Sequence, residues 1–189
     1  LSVDGVPFLL HDATLERTTN GRGTAGDQPW SALSQLDAGG WHGRTHAGEP
    51  PPTLAALARW IRANGYTLDI EIKPTPGREE ATGGAVALAV RELWSGAEVP
   101  PLLTSFRPEA LRAARDAAPE LPRGLLLDEL WLGWAAVARA LDCAAVITHH
   151  PLMDADLIAQ LHAEGRRALV YTVNERADAD RLLALGIDG

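Results

Sequence analysis

From Pro101 onward the chain repeats one pattern: a short apolar run, then an amphipathic stretch, then another run. "PLLTSF" (Pro101–Phe106), "RGLLLDE" (Arg123–Glu129), "AAVITHH" (Ala144–His150) and "RALVYTVN" (Arg167–Asn174) have the length of strands. "RPEALRAARDAA", "LGWAAVARALD" and "DADLIAQLHAEG" lie between them, and "RADADRLLALG" follows; all carry apolar residues at helical spacing. Strands that are apolar on both faces belong to a parallel sheet covered by helices. The pattern extends back toward the start. "TLAALARWIRAN" predicts a helix with Thr53 as N-cap and Gly65 as its stop. "YTLDIEIK" (Tyr66–Lys73) alternates and ends at Pro74, so it predicts a strand. "EEATGGAVALAVRELWS" predicts a helix with a weak Gly-Gly interruption. "VPFLLH" (Val6–His11), after the tight-turn pair Asp4-Gly5, predicts one more strand, and "WSALSQLDAG" a short helix or turn.

Two architectures accommodate such a series, a doubly wound sheet and a TIM (β/α)8 barrel. No GxGxxG or Walker-A loop follows any strand. Polar residues instead gather at the ends of several strands: His11-Asp12, Glu71 and Lys73, Ser105, Asp128, His149-His150, Thr172 and Asn174. Active groups drawn from many strand ends favour the barrel. About five good parallel strands are present, and a full barrel takes about 250 residues. The expectation is one barrel domain over residues 1–189, with a strand–helix–strand segment preceding Leu1 and a closing strand following Gly189.

Composition narrows the function. A net charge of -8 argues against a nucleic-acid surface, which needs a basic patch. It leaves room for a small phosphate-bearing substrate, because one lysine and a cation can hold one phosphate. A lone cysteine, Cys143, forms no internal disulfide, and there is no apolar run near the ~20 residues of a membrane span. No basic-then-apolar leader opens the chain, so a cytoplasmic protein without stable membrane insertion fits.

Several of these segments resemble the glycerophosphodiester phosphodiesterase family, over nearly the whole length. "DGVPFLLHDATLERTTNGRG" is similar to the family's His-Asp segment, "PPTLAAL" to its Pro-Thr-Leu helix start, and "LDIEIKP" to its metal-and-phosphate strand. "TSF" and "YTVNE" are similar to later strand ends, and "LGIDG" to the approach to the last strand. The resemblance implies a (β/α)8 barrel that hydrolyses glycerophosphodiesters to an alcohol and glycerol 3-phosphate with a divalent cation, Mg2+ or Ca2+. It also implies two histidines, of which the second matches His11. The first, in a His-Arg segment, is expected before Leu1. Of three acidic metal ligands the third matches Glu71, and the other two are again expected before Leu1. Tyr171 stands where the family usually has Trp before Thr-Val-Asn; either ring can wall a glycerol pocket.

On this resemblance His11 is a general acid that protonates the leaving alkoxide, a task suited to imidazole. The plain alternative is a hydrogen-bonded histidine at a strand end. Residues two apart in a strand share a face, so Asp69, Glu71 and Lys73 point one way and Leu68, Ile70 and Ile72 the other. Glu71 then ligates a hard cation and Lys73 neutralises charge on the phosphoryl oxygens, the alternative being a structural ion pair. Asp69 lies deeper and is structural. Asp12 is a supporting residue that either faces away from His11 or turns back into the loop. Tyr171, Asn174, Phe106 and Trp41 are candidate contacts of the substrate, with helix capping the alternative for Asn174. Adjacent His149 and His150 face opposite ways and do not suit one ion. His42, His46 and His162 are expected at the surface, and the remaining tryptophans in packing roles. The rival readings are a phospholipase-like phosphodiesterase on intact lipids and a non-catalytic, degenerate barrel or fragment that binds phosphodiesters or nothing; a fragment with open edges is expected to aggregate or to assemble as a homo-oligomer.

Overall fold

The computed structural model describes residues 1–189. Strands β1 (Asp69–Glu71), β2 (Leu102–Ser105), β3 (Arg123–Leu127), β4 (Ala145–His149) and β5 (Arg167–Tyr171) form one sheet. Every neighbour is parallel and the spatial order is the sequence order. A doubly wound sheet reverses its order at a switch point, whereas a (β/α)8 barrel winds one way. The chain is therefore a curled part of a TIM barrel. Helices α1 (Trp30–Leu33) and α2 (Leu54–Ala63) precede β1. Helices α3 (Glu79–Leu93), α4 (Pro108–Ala117), α5 (Trp134–Ala140) and α6 (Ala155–Ala163) cross over between strands, and α7 (Arg176–Leu185) follows β5.

Alternation along the strands separates two layers. Leu125, Leu127, Val146 and Ala168 pack outward against Ala138, Leu157, Leu161 and Leu182 of the helices. Ile72 and Leu103 pack with Ala58, Ile61, Val86 and Val90. The inward layer holds Leu126, Ala145 and Ile147, with Leu102, Leu169 and Tyr171 against them. At the N-terminal end of the strands the buried Arg123 guanidinium donates to the carbonyls of Pro119, Leu121 and Leu141, which ties the loop before β3 to the loop before β4. Cys143 is buried there too, and burial pushes its thiol up to about 11.

The caps read from the sequence form as expected. The Thr53 hydroxyl accepts from Ala56 N at 3.1 Å, and the Asp154 carboxylate from Leu157 N at 2.9 Å. Each satisfies a backbone donor that the first helical turn leaves unpaired. The Gly-Gly pair in α3 does not interrupt the helix. A Cβ at Gly83 would lie 2.1 Å from the Ala110 carbonyl oxygen, so this glycine lets α4 approach α3 backbone to backbone.

The structure differs from expectation at the start. Val6–His11 is not a strand. It makes one isolated antiparallel bridge, Phe8 to Thr53, flanked by bonds from Leu9 N to Pro52 O and from Leu54 N to Pro7 O. Pro7 and the run Pro50-Pro51-Pro52 have no N–H groups with which to extend a ladder. Nor does the strand of "YTLDIEIK" begin at Tyr66, since β1 covers only Asp69–Glu71. Tyr66 instead stacks on Trp60 at 5.2 Å between ring centres, and both are more than half exposed, so Trp60 is no core residue. Along the other edge, Asp188 N donates to Ala168 O and Val170 N to Gly189 O, so residues 188–189 run beside β5.

Candidate active site

Two charged side chains, Glu71 and Lys73, meet the His11 backbone where β1 ends. Glu71 and Lys73 leave the strand on the same side, and the Lys73 ammonium lies 3.6 Å from a Glu71 carboxylate oxygen. The same ammonium donates to the His11 carbonyl at 2.9 Å. A groove of about 450 Å³ opens here, with His11, Asp12, Asp69, Glu71 and Lys73 on its polar side and Phe8, Leu10, Leu54 and Leu57 among its apolar walls.

The His11 ring stands in solvent, with its side chain 77% exposed. Its Nδ1 lies 2.8 Å from Asp12 Oδ1. Asp12 turns back into the loop rather than away from it, and both its oxygens accept from the Arg17 guanidinium. Those bonds, followed by the one from His11, hold its carboxyl far below the usual carboxylate range. An ionised carboxylate only accepts, so the proton between Asp12 and His11 sits on Nδ1. Nε2 is left as the working nitrogen.

Asp69 accepts from the Thr104 hydroxyl at 2.9 Å. Although β1 is open along its edge, protein atoms crowd this carboxyl enough to push its pKa up, with Glu71 adding to the rise and Thr104 opposing it. A partner on β2 and a raised pKa suit a supporting role inside the curl.

A second cluster lies across the mouth. Phe106, one residue past β2, meets Tyr171 of β5 edge-on at 5.7 Å, and His149 of β4 lies 6.0 Å from the same Tyr171. The Tyr171 hydroxyl donates to Leu127 O at 3.2 Å. Desolvation, then the charges of Asp128 and Glu71, push the phenol up. Both carboxylates thus share a field with Tyr171. Asp128 and His149 were strand-end residues in the sequence without an assigned role; their inward register sets them in this cluster.

Two candidates stand apart from the groove. Trp41 is exposed, and its indole N–H donates to Ala38 O within its own loop. Asn174 is exposed one residue before Glu175, which holds the N-cap position of α7 without a side-chain bond to the helix.

Nowhere do three or more His, Cys, Asp or Glu side chains gather into a metal-ligating group. Glu71 is a partly exposed hard-oxygen donor at the mouth. That donor fits a cation such as Mg2+, which is commonly bound by one or two carboxylates with waters and substrate phosphate oxygens completing the shell.

The profile of the glycerophosphoryl diester phosphodiesterase family matches residues 1–189. The chain belongs to this family. It is 30% identical over 197 residues to a glycerophosphodiester phosphodiesterase of Caldanaerobacter subterraneus subsp. tengcongensis, covering all of this chain and 77% of that protein. An Oleispira antarctica phosphodiesterase, solved in complex with the product sn-glycerol-3-phosphate, superposes with a TM-score of 0.90 at 34% identity. That match covers all of this chain and 76% of the other. A glycerophosphodiester phosphodiesterase from Agrobacterium tumefaciens superposes at 0.79 with 28% identity, covering 99% and 78%. No helix of the chain is long and apolar enough to cross a membrane.

Proposed function

We propose that the chain hydrolyses glycerophosphodiesters to an alcohol and sn-glycerol 3-phosphate, with His11 as general acid and a divalent cation, Mg2+ or Ca2+, held in part by Glu71. The observation that carries this reading is the Lys73 ammonium, which bonds to the His11 backbone and faces the Glu71 carboxylate at one groove. A relative with a TM-score of 0.90, bound to sn-glycerol-3-phosphate, supports the substrate class.

Hydrolysis leaves an oxygen from water bonded to phosphorus, and the bond that breaks joins phosphorus to the alcohol oxygen. An alkoxide leaves poorly, so a proton delivered to that oxygen as the bond stretches accelerates the step by ~10²–10⁴-fold. His11 Nε2 delivers it, while Asp12 accepts from Nδ1 and steadies the ring. The Lys73 ammonium retains N–H donors beyond its bond to His11 O, and these meet the charge that grows on the phosphoryl oxygens. When bound, the cation supplies further positive charge at those same oxygens. Phe106 and Tyr171 offer an aromatic face to the glycerol carbons. A cytoplasmic location suits a buried, unpaired Cys143.

The test is release of sn-glycerol 3-phosphate from glycerophosphocholine with Mg2+ or Ca2+, and again with EDTA. Release is expected only with metal, and Glu71→Gln is expected to lower it at least about tenfold, as loss of a ligand-shell contact does. Release that persists in EDTA would remove the cation from the account. No release from any glycerophosphodiester by folded protein would remove the activity.

A further inference from the structure

We propose that Arg17 is a positioning residue for His11, acting through Asp12. The inference rests on the general-acid reading of His11.

Arg17 grips both carboxylate oxygens of Asp12, with Nε on Oδ2 at 2.5 Å and Nη2 on Oδ1 at 2.7 Å. This planar, two-pronged contact fixes the carboxylate about both of its torsions, which a single bond cannot do. Asp12 Oδ1 faces His11 Nδ1 at 2.8 Å, so the ring inherits that orientation. The His11 carbonyl is held at its other end by Lys73. Backbone and ring are thereby located separately, which an imidazole 77% exposed cannot achieve by packing.

Arg17 stands on a firm base. Leu15, two residues earlier, is 2% exposed and packs with Ala25 and Leu33. Thr14 bridges Thr24, and the Glu16 carboxylate accepts from Gly23 N at 2.7 Å. The guanidinium meets only the two residues it serves: it bonds to Asp12 and approaches His11 Nδ1 at 3.4 Å. More than half of the side chain is exposed, and exposed ion pairs contribute little to stability. The arrangement of Arg17, Asp12 and His11 therefore has its consequence at the ring, where a small displacement of a reacting group costs rate. What Arg17 supplies through its two bonds to Asp12 is geometry.

The experiment compares two substrates that differ in their need for a proton. Glycerophosphocholine expels an alkoxide, whereas the p-nitrophenyl ester of glycerol phosphate expels a stable phenolate. Arg17→Ala and Arg17→Lys are each measured on both, with His11→Ala alongside and a thermal melt of each variant. Both Arg17 variants are expected to lower kcat on glycerophosphocholine by about tenfold to a hundredfold with KM little changed. On the p-nitrophenyl ester the loss is expected to shrink to a few-fold, as it is for His11→Ala. Equal losses on both substrates, a change in KM alone, or full activity would overturn the proposal for Arg17. If His11→Ala itself loses equally on both, the general-acid reading fails instead. Should the alanine variant melt early, Arg17→Lys keeps the charge without the fork and carries the comparison.

Discussion

The Lys73 ammonium bonds to a carbonyl 62 residues away in the sequence, and both partners are open to water. Such a bond adds little to stability. Its effect is to tie the end of β1 to the His11 loop, on which the proposed placing of a phosphate beside both residues depends. Asp188 illustrates a carboxylate used for stability instead. It accepts from Ala168 N, from Arg167 Nη1 and faces His162 Nε2, each at 2.8 Å. These contacts, led by the backbone N–H, hold its carboxyl down to about 2. The folded state thus favours the ionised form. Its contribution is complete above the unfolded value of about 3.9 and is lost as pH falls through the folded one. Asp188→Ala is expected to be less stable by about 1 kcal/mol at pH 7. In melts across pH the gap should close between about pH 4 and pH 2. A gap that persists unchanged at pH 2 would show that packing, not charge, makes the difference.

At the scale of elements, α3 and α4 give the sharpest contrast. Gly83 and Gly84 are neighbours with opposite surroundings. A Cβ at Gly83 would strike the Ala110 backbone, at 2.1 Å from its oxygen and 2.8 Å from its carbonyl carbon, whereas one at Gly84 meets nothing within 4 Å. Gly83→Ala is expected to destabilise by about 1–3 kcal/mol through forced separation of the helices. Gly84→Ala is expected to stabilise by about 0.5–1 kcal/mol, because alanine loses less backbone freedom in a helix. Denaturant unfolding of the two variants checks the opposite signs; a loss in both would mean that the helix pair has no slack at either position. Sequence pattern alone could not separate these two glycines, since helical period says which face a residue is on and not how near the neighbouring backbone lies. The pattern served well where length and polarity change together. The strands after Pro101 are short, apolar and followed by helices, and β2 to β5 fall within the expected runs. It failed at Val6–His11, where apolar residues suggested a strand. Leu10 and Phe8 there pack over Leu15 and Leu33, in a segment whose proline-rich neighbour cannot donate to a ladder.

For the whole molecule, the parallel order without a reversal sets the mouth at the C-terminal ends of the strands, where His11, Glu71, Lys73, Phe106, His149 and Tyr171 occur. Glu71 and Lys73 were legible because alternation in "DIEIK" fixes their shared side. His11 was legible as a polar stop after an apolar run. Arg17 was not, because its pairing with Asp12 depends on a loop that doubles back, and no period describes such a loop. The place of His149 is not legible either, because its contact with Tyr171 comes from the neighbouring strand. The account as a whole depends on His11 delivering a proton at this mouth. The most direct measurement is kcat for glycerophosphocholine hydrolysis by His11→Ala beside the unchanged protein, with a melt of each. The ring is exposed, so the fold should melt unchanged while kcat falls by ~10²–10⁴-fold. A variant that melts unchanged and keeps kcat within a few-fold would contradict the account.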